Sequence, residues 1–237
     1  WSDGTYAILC NYRLYDKPVY GFTKNAHFRT MLATAYDRGF RPKLVAFDSW
    51  YSSLENLKAV RGYGWRWLTR LKSNRLVNPD GEGNRSLREL ELEEAMVIAL
   101  HGTRVHLKGY GFILVFWIDA PDGDTEYWAT SDLTMKPEQR EGLTGQIWTI
   151  EVYLRGLKQF CGVERCQARA ARAQRNHIGW AIRAFLRLKH HRICTGSSWF
   201  ATKLQIIRPA IQLYLSTPSP ILFGFVQRAA AHRRATA

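Results

Sequence analysis

Hydrophobic and polar positions follow strand-like and helix-like patterns in turn over the first part of the chain. Residues 5–15 mix apolar, β-branched and aromatic side chains, which predicts a strand. Apolar residues then recur at helical spacing over 25–39 and stop at a glycine, which predicts a helix. The apolar run LVAF at 44–47 is typical of a buried parallel strand, and a helix over 54–61 and a strand over 65–72 follow. This order of elements predicts an α/β layer.

The middle of the chain has a different pattern, in which short strands are separated by strong turn signals. Turns are expected at residues 78–81 (NPDG) and 121–124 (PDGD). Strands are expected at residues 103–107, 112–118 and 126–130. The sequence therefore predicts a β-rich insertion.

From residue 137 onward the pattern is mostly helical. One helix is expected to begin near residue 144 or 145 and to bury a stripe of four apolar side chains at helical spacing: Ile147, Ile150, Leu154 and Leu157. A second helix is predicted over residues 168–191.

The chain carries a formal net charge of +14, and nearly all of it lies in the C-terminal part. No Asp or Glu follows Glu164, whereas 13 Lys and Arg residues do. Arg165, Arg169 and Arg172 would form one stripe on a helix, where unpaired like charges repel one another unless an anion neutralises them. The charge therefore predicts a nucleic-acid partner, against the alternative of a solvated helix face.

Composition excludes several classes of protein. With 237 residues, of which 46% are hydrophobic, the chain is long enough to bury a core, which excludes a disordered tail. The longest apolar run has nine residues, far fewer than the roughly 20 of a membrane helix. Four cysteines without a CxxC pair predict reduced thiols in a cytoplasmic protein. Because residue 1 is Trp, we also expect the chain to be part of a longer one.

Two acidic residues are candidates for chemistry. Asp48 directly follows the predicted strand at 44–47, where open α/β sheets place functional side chains. Glu151 lies on the edge of a predicted helix and is followed by Arg155 and Lys158 at helical spacing. Two carboxylates brought together suit Mg²⁺, which prefers oxygen ligands. By spacing alone, a helix cap at Asp48 and an ion pair between Glu151 and Arg155 are the alternatives.

Three strings carry a resemblance to a known family: FDSWY at 47–51, Lys72-x-Asn74-Arg75, and WTIEVY at 148–153 running into Lys158-Gln159. They resemble the DDE insertion-sequence transposases, a DDE superfamily endonuclease domain, in the branch with a β-insertion between the second Asp and the Glu. The resemblance implies an RNase H-like fold in which three carboxylates bind two Mg²⁺ or Mn²⁺ ions. It also implies cleavage and transfer of DNA strands, with transposon ends and target DNA as partners. The implied location is the bacterial cytoplasm, with association with the nucleoid when the protein is bound to DNA.

By motif position, the resemblance implies that Asp48 is the second Asp and Glu151 the Glu, both catalytic and both metal ligands. Lys158 would grip a phosphate near the cut, and DNA-binding roles extend to Arg155 and to the three arginines at positions 165, 169 and 172. The family's Tyr-Arg-Glu-Lys signature is only half kept, because Thr144 and Ile147 occupy the Tyr and Arg positions.

The first Asp of the family has no clear counterpart, since Asp3 is typical of a turn. We therefore expect an N-terminally incomplete RNase H-like core (1–73), the β-rich insertion (74–132), core helices with Glu151 (133–192) and a basic C-terminal extension (193–237). The expected protein is the C-terminal catalytic part of a DNA transposase, inactive alone because the first catalytic Asp is missing. Self-association is expected, and a membrane partner is not. The alternatives are a non-catalytic DNA-binding or oligomerising relic and an RNase H-like nuclease of another type.

Overall fold

A computed structural model describes residues 1–4, 6–15, 17–90, 102–119 and 125–217. The chain forms two compact units, Trp1–Ile150 and Glu151–Ala237. The finer division into four segments stays a prediction.

The first unit is built on one seven-stranded sheet. Its strands are β1 (Leu44–Phe47), β2 (Arg66–Leu71), β3 (Leu76–Asn78), β4 (Arg85–Ser86), β5 (Thr103–Leu107), β6 (Gly111–Asp119) and β7 (Thr125–Thr130). The spatial order is β1-β2-β7-β6-β5-β3-β4, in which β1 and β2 are parallel and the other pairs antiparallel. The β-rich insertion therefore extends the same sheet as β1 and β2, and the expected α/β fold with an RNase H-like core is confirmed.

Helices cover both faces of this sheet. The first unit contains α1 (Lys17–Tyr20), α2 (Lys24–Asp37), α3 (Leu54–Gly62) and α4 (Pro137–Ile147). Because successive side chains of a strand point to opposite faces, Trp67 packs in a cluster with residues of α2 and α3, whereas Leu68 packs in a cluster that includes residues of α4. Both side chains are fully buried. These two apolar layers hold the sheet between the helices.

Two close contacts fix the ends of the insertion strands. Gly102 has φ +73°, and a Cβ there would lie 2.7 Å from the ring of buried Phe116. Asp132, just beyond β7, forms an ion pair with Arg66 at 2.5 Å and accepts hydrogen bonds from the backbone N–H and hydroxyl of Thr134. Burial alone would raise the pKa of Asp132, but the Thr134 hydrogen bonds and Arg66 together lower it below its ordinary value.

The second unit is helical. It contains most of α5 (Thr149–Cys161), together with α6 (Ala171–Thr195) and α7 (Trp199–Ser216). Phe185 of α6 is 2% exposed and lies between the rings of Tyr153, at 4.6 Å, and Trp199, at 5.0 Å. Gly156 faces Phe185 so closely that a Cβ would lie 2.4 Å from the ring. An aromatic cluster therefore joins the three helices.

Three sequence predictions about secondary structure are wrong. Within residues 6–15 there is no strand but a single bridge between Ser2 and Ala7, since no neighbouring strand pairs with this segment in the described chain. The helix expected from 144 or 145 is instead two helices, α4 and α5, that meet at Trp148. Of its predicted apolar stripe, Leu157 is buried, whereas Ile150 is 55% exposed and Leu154 is 44% exposed.

The remaining elements agree more closely with the sequence patterns. The helix predicted at 25–39 is α2, and the strand predicted at 44–47 is β1 with the same bounds. The predicted turn at 78–81 lies in the connection between β3 and β4. The turn predicted at 121–124 lies outside the described residues. In the described residues, none of the helices has the length and apolar character needed to cross a membrane.

Candidate catalytic and nucleic-acid-binding site

Asp48 lies directly after β1, at the carboxyl end of the strand. Its Oδ1 accepts a hydrogen bond from the backbone N–H of Trp50 at 2.8 Å and one from the Ser49 hydroxyl at 3.3 Å. The side chain thus caps the short helical turn Ser49–Tyr51, as the cap alternative predicted, yet it stays 49% exposed. One carboxylate oxygen is therefore fixed by the backbone, and Oδ2 is turned to the neighbouring strand.

Among the described ion pairs, Arg70 of β2 supplies the positive charge beside this carboxylate. Its Nη2 lies 3.7 Å from Asp48 Oδ2, while Nη1 donates to the Glu126 carboxylate. The guanidinium also lies 5.8 Å from the ring centroid of Trp128, whose indole N–H donates to Glu126 at 2.8 Å. Glu126 and Trp128 thereby anchor Arg70, which neutralises part of the charge of Asp48.

Sequence reasoning missed Arg70 and Glu126. Side chains of a strand alternate between the two faces of a sheet, and this period is the weak signal in the sequence. Once the register is known, it places Asp48, Arg70 and Trp128 on one face of the sheet. The register itself joins positions far apart in the chain.

Two polar side chains, one buried and one half-buried, support the turn that follows Asp48. Asn56 is fully buried, and its amide donates to the carbonyl of Tyr51 at 2.9 Å. Arg75, from the Lys72-x-Asn74-Arg75 string, donates to the carbonyl of Ser52 at 2.6 Å. Burial lowers the pKa of the Arg75 guanidinium. These two bonds hold the backbone after the strand, so the position of the carboxylate is set by the fold rather than by a mobile loop.

In the second unit, Glu151 lies in the first turn of α5 and is exposed. Arg155 and Lys158 follow it along the helix and are exposed as well. Lys158 forms an ion pair with Glu164 at 2.7 Å. The hydrogen bond to Glu164 raises the pKa of Lys158, as do the charge of Glu164 and, to a smaller extent, that of Glu151. Lys158 is therefore a firmly charged group that already has an anionic partner.

The predicted arginine stripe at 165, 169 and 172 is wrong in its geometry. Arg165 ends a short helical turn, Arg169 lies in the non-helical segment 166–170, and only Arg172 belongs to α6. Gly162, in the left-handed conformation with φ +60°, separates this segment from α5. All three arginines are nevertheless exposed, so their DNA-binding role stays a prediction.

A family model described as the transposase DDE domain matches residues 19–187, more than two thirds of the chain. The chain belongs to the transposase DDE domain family. A comparison with curated proteins found no match. The match to the DDE domain runs from α1 into α6 and includes Asp48, Glu151 and Lys158. A role in transposition follows from it, and the family implies DNA as partner. DDE transposases typically use divalent metal ions.

The structure brings together some of the predicted site residues of this DDE domain. Glu151, Arg155 and Lys158 share α5, whereas Asp48 lies in the first unit beside Arg70, which the sequence did not predict. The pairing of Asp48 with Glu151 stays a prediction, since the two belong to different units. Among the described residues there is no group of three or more acidic, His or Cys side chains that could hold a metal ion.

Proposed function

We propose that this transposase DDE domain takes part in metal-dependent cleavage and transfer of DNA strands, with Asp48 and Glu151 as catalytic metal ligands. The observation that carries the proposal is the state of Asp48. Its carboxylate lies at the carboxyl end of a strand, one oxygen accepts a hydrogen bond from the Trp50 N–H, and the side chain as a whole is 49% exposed. A helix cap alone would not require Arg70 beside the other oxygen.

The family match supports the pairing with Glu151. The matched residues 19–187 include both Asp48 and Glu151. The resemblance of the strings FDSWY at 47–51 and WTIEVY at 148–153 to the DDE transposases implies that these two carboxylates are the second Asp and the Glu of the family.

The donor set fits Mg²⁺ or Mn²⁺. Both candidate ligands are exposed carboxylates, and hard divalent ions prefer oxygen ligands and retain water in open positions. Such ions, when bound, would activate water or a DNA 3′-hydroxyl and neutralise charge at the phosphodiester. The chain's own residues would hold and orient: Asp48 and Glu151 as ligands, Arg70 to position the Asp48 carboxylate, and Lys158 to bind a phosphate.

Mn²⁺ binding to the 237-residue chain tests the pairing. Asp48→Asn and Glu151→Gln should each weaken binding, and the double variant should lose little more than either single one, because the two carboxylates share a site. Asp132→Asn is the matched control, since it removes an Asp that also pairs with an arginine at a strand end. Independent, additive losses from Asp48 and Glu151, or an equal loss from Asp132→Asn, would refute the shared site.

Activity of this chain alone is expected to be low. No residue of it is assigned to the first Asp of the family, and Asp3 accepts a hydrogen bond from the Tyr6 backbone at 2.7 Å in a local turn. Loss of one of three carboxylates weakens ion binding. Robust Mg²⁺-dependent cleavage of transposon-end DNA by the purified chain would contradict this.

The positive charge of the C-terminal part favours a second candidate function, that of a non-catalytic DNA-binding or oligomerising protein. Asp48→Ala separates the two. For an enzyme, the variant loses cleavage but keeps its DNA affinity; for a binding protein, there is no cleavage to lose, and only substitution of the arginines changes binding.

A further inference from the structure

Helix α6 has one buried and one exposed face along its 25 residues. The buried face includes Ala181, Phe185 and Leu188. The opposite face consists of six exposed side chains at steps of three or four residues, which we name the α6 arginine face: Arg172, Asn176, Trp180, Arg183, Arg187 and His190. The helix thus presents a continuous polar and basic ridge to solvent.

This face lacks the acidic residues that usually balance exposed arginines. The sequence has no Asp or Glu after Glu164, so no carboxylate of α6 or α7 can neutralise the face. Among the described ion pairs, neither Arg183 nor Arg187 has a carboxylate partner. Unbalanced like charges four residues apart, such as Arg183 and Arg187, destabilise a helix, and an external anion would relieve this repulsion.

An exposed aromatic ring orders one of these arginines. Trp180 is 66% exposed, and the guanidinium of Arg183 lies 5.3 Å from its ring centroid. Stacking restricts the long side chain while its N–H donors stay directed to solvent. Arg183 is therefore partly ordered for an anion before one is bound.

We propose that the α6 arginine face binds the phosphate backbone of duplex DNA without reading its sequence. The inference rests on the proposed function, in which DNA is the substrate, and adds a binding surface on α6 that does not include Arg165 or the non-helical Arg169. From Arg172 to Arg187 the helix rises about 22 Å, at about 1.5 Å per residue, which spans several phosphates of a duplex. Asn176 and His190 add side-chain donors on the same ridge.

Charge decides between duplex DNA and other occupants of this face. The α6 arginine face of a second copy would be equally basic and without carboxylates, so two such faces would repel each other. An acidic protein could match the charge, but three guanidinium groups along one helix face and the family's substrate favour a polyphosphate.

The test compares two double variants of equal charge change. Arg183→Gln with Arg187→Gln removes two charges from the face. The matched control is Arg104→Gln with Lys108→Gln in the first unit, where the charges are also four residues apart and Arg104 also stacks on an aromatic ring, at 4.1 Å from the Phe112 centroid. Affinity for duplexes of two unrelated sequences is measured by fluorescence anisotropy over a range of salt concentrations.

We expect the α6 variant to bind both duplexes more weakly than the parent chain. The plot of log association constant against log salt concentration should be less steep by about 1.8, near 0.9 for each lost phosphate contact. The control should keep the slope. Trp180→Ala should weaken binding with little change of slope, because it releases Arg183 without removing a charge. An unchanged slope in the α6 variant, a loss confined to one sequence, or an equal effect in the control would overturn the inference. The inference would also be overturned if the α6 arginines were needed for binding of polyglutamate but not for binding of duplex DNA.

Failure of this inference can be told from failure of the proposed function. If the parent chain binds duplex and the α6 variant binds identically, only the α6 surface is wrong. If the parent chain binds no duplex, both are wrong. All substituted side chains are exposed, and unchanged far-UV circular dichroism would show that each variant is folded as the parent is.

Discussion

Gly156→Ala tests the close packing of α5, which carries Glu151, against α6. The added Cβ would lie 2.4 Å from Cε2 and 2.6 Å from Cζ of Phe185. Phe185 cannot move aside freely, because it is buried between the rings of Tyr153 and Trp199. The methyl group must therefore push the two helices apart or displace the aromatic cluster.

The expected magnitude follows from two opposing effects. Overpacking of this kind costs about 1–3 kcal/mol, while alanine in a helix interior is favoured over glycine by about 1 kcal/mol. Because the contact is far shorter than van der Waals distance, we expect a net loss of about 1–2 kcal/mol. Gly142→Ala in α4 is the control, since no atom lies within 4 Å of its added Cβ, and it should gain up to about 1 kcal/mol.

Urea unfolding followed by far-UV circular dichroism measures both free energies. Phe185→Leu, which shortens the opposing side chain, supplies a second check. Combined with Gly156→Ala, it should cost less than the sum of the two single changes, because the space that the methyl group needs is then available. A stabilised Gly156→Ala variant, or strict additivity with Phe185→Leu, would refute the reasoning.

The pKa of Asp132 is lower in the folded chain than in the unfolded chain, where it is about 4. The ionised carboxylate therefore stabilises the fold at pH values above about 4, and this stabilisation is lost as the pH falls through the pKa of the folded state. Asp132→Asn should therefore flatten the acid limb of stability against pH in urea unfolding, and an unchanged limb would contradict the assignment. Glu164→Gln should lower the pKa of Lys158, as measured by NMR titration, and should change stability little because the pair is exposed. The same substitution should tighten DNA binding, because it frees Lys158 from its anionic partner. Weaker DNA binding would argue against a phosphate contact by Lys158. Gly102→Ala combines a positive φ with a Cβ 2.7 Å from Phe116 and should cost about 1–3 kcal/mol in thermal unfolding, whereas parent-like stability would rule out that contact.

Local sequence patterns predicted those elements whose signal is contained within a few residues. β1 and β5 have the predicted bounds, because each is a short run bounded by turn residues. Residues 6–15 carry a similar signal but form no strand in the described chain, since a strand also needs a partner, which composition does not specify. The position of Asp48 at a strand end was predictable for the same local reason.

Features that depend on distant residues were not predictable. Arg70 and Glu126 meet beside Asp48 only because β2 lies between β1 and β7, and this order is a property of the whole sheet. Likewise, the spacing of Arg165 and Arg169 predicts a stripe only on a continuous helix, and Gly162 and the segment after it break that continuity. The family resemblance supplied what local patterns lacked, because it relates residues by their role and not by their neighbours.

β1 stands at the margin of the sheet. It forms four residue pairs with β2 and, within the described chain, has no strand on its other side, whereas β6 is paired along both edges. Fewer backbone bonds hold it, so amide hydrogens around Asp48 should exchange with solvent sooner than those of β6. Any ion or substrate that binds there would slow that exchange first at β1, and local amide protection would then report occupancy even in a chain that performs no chemistry.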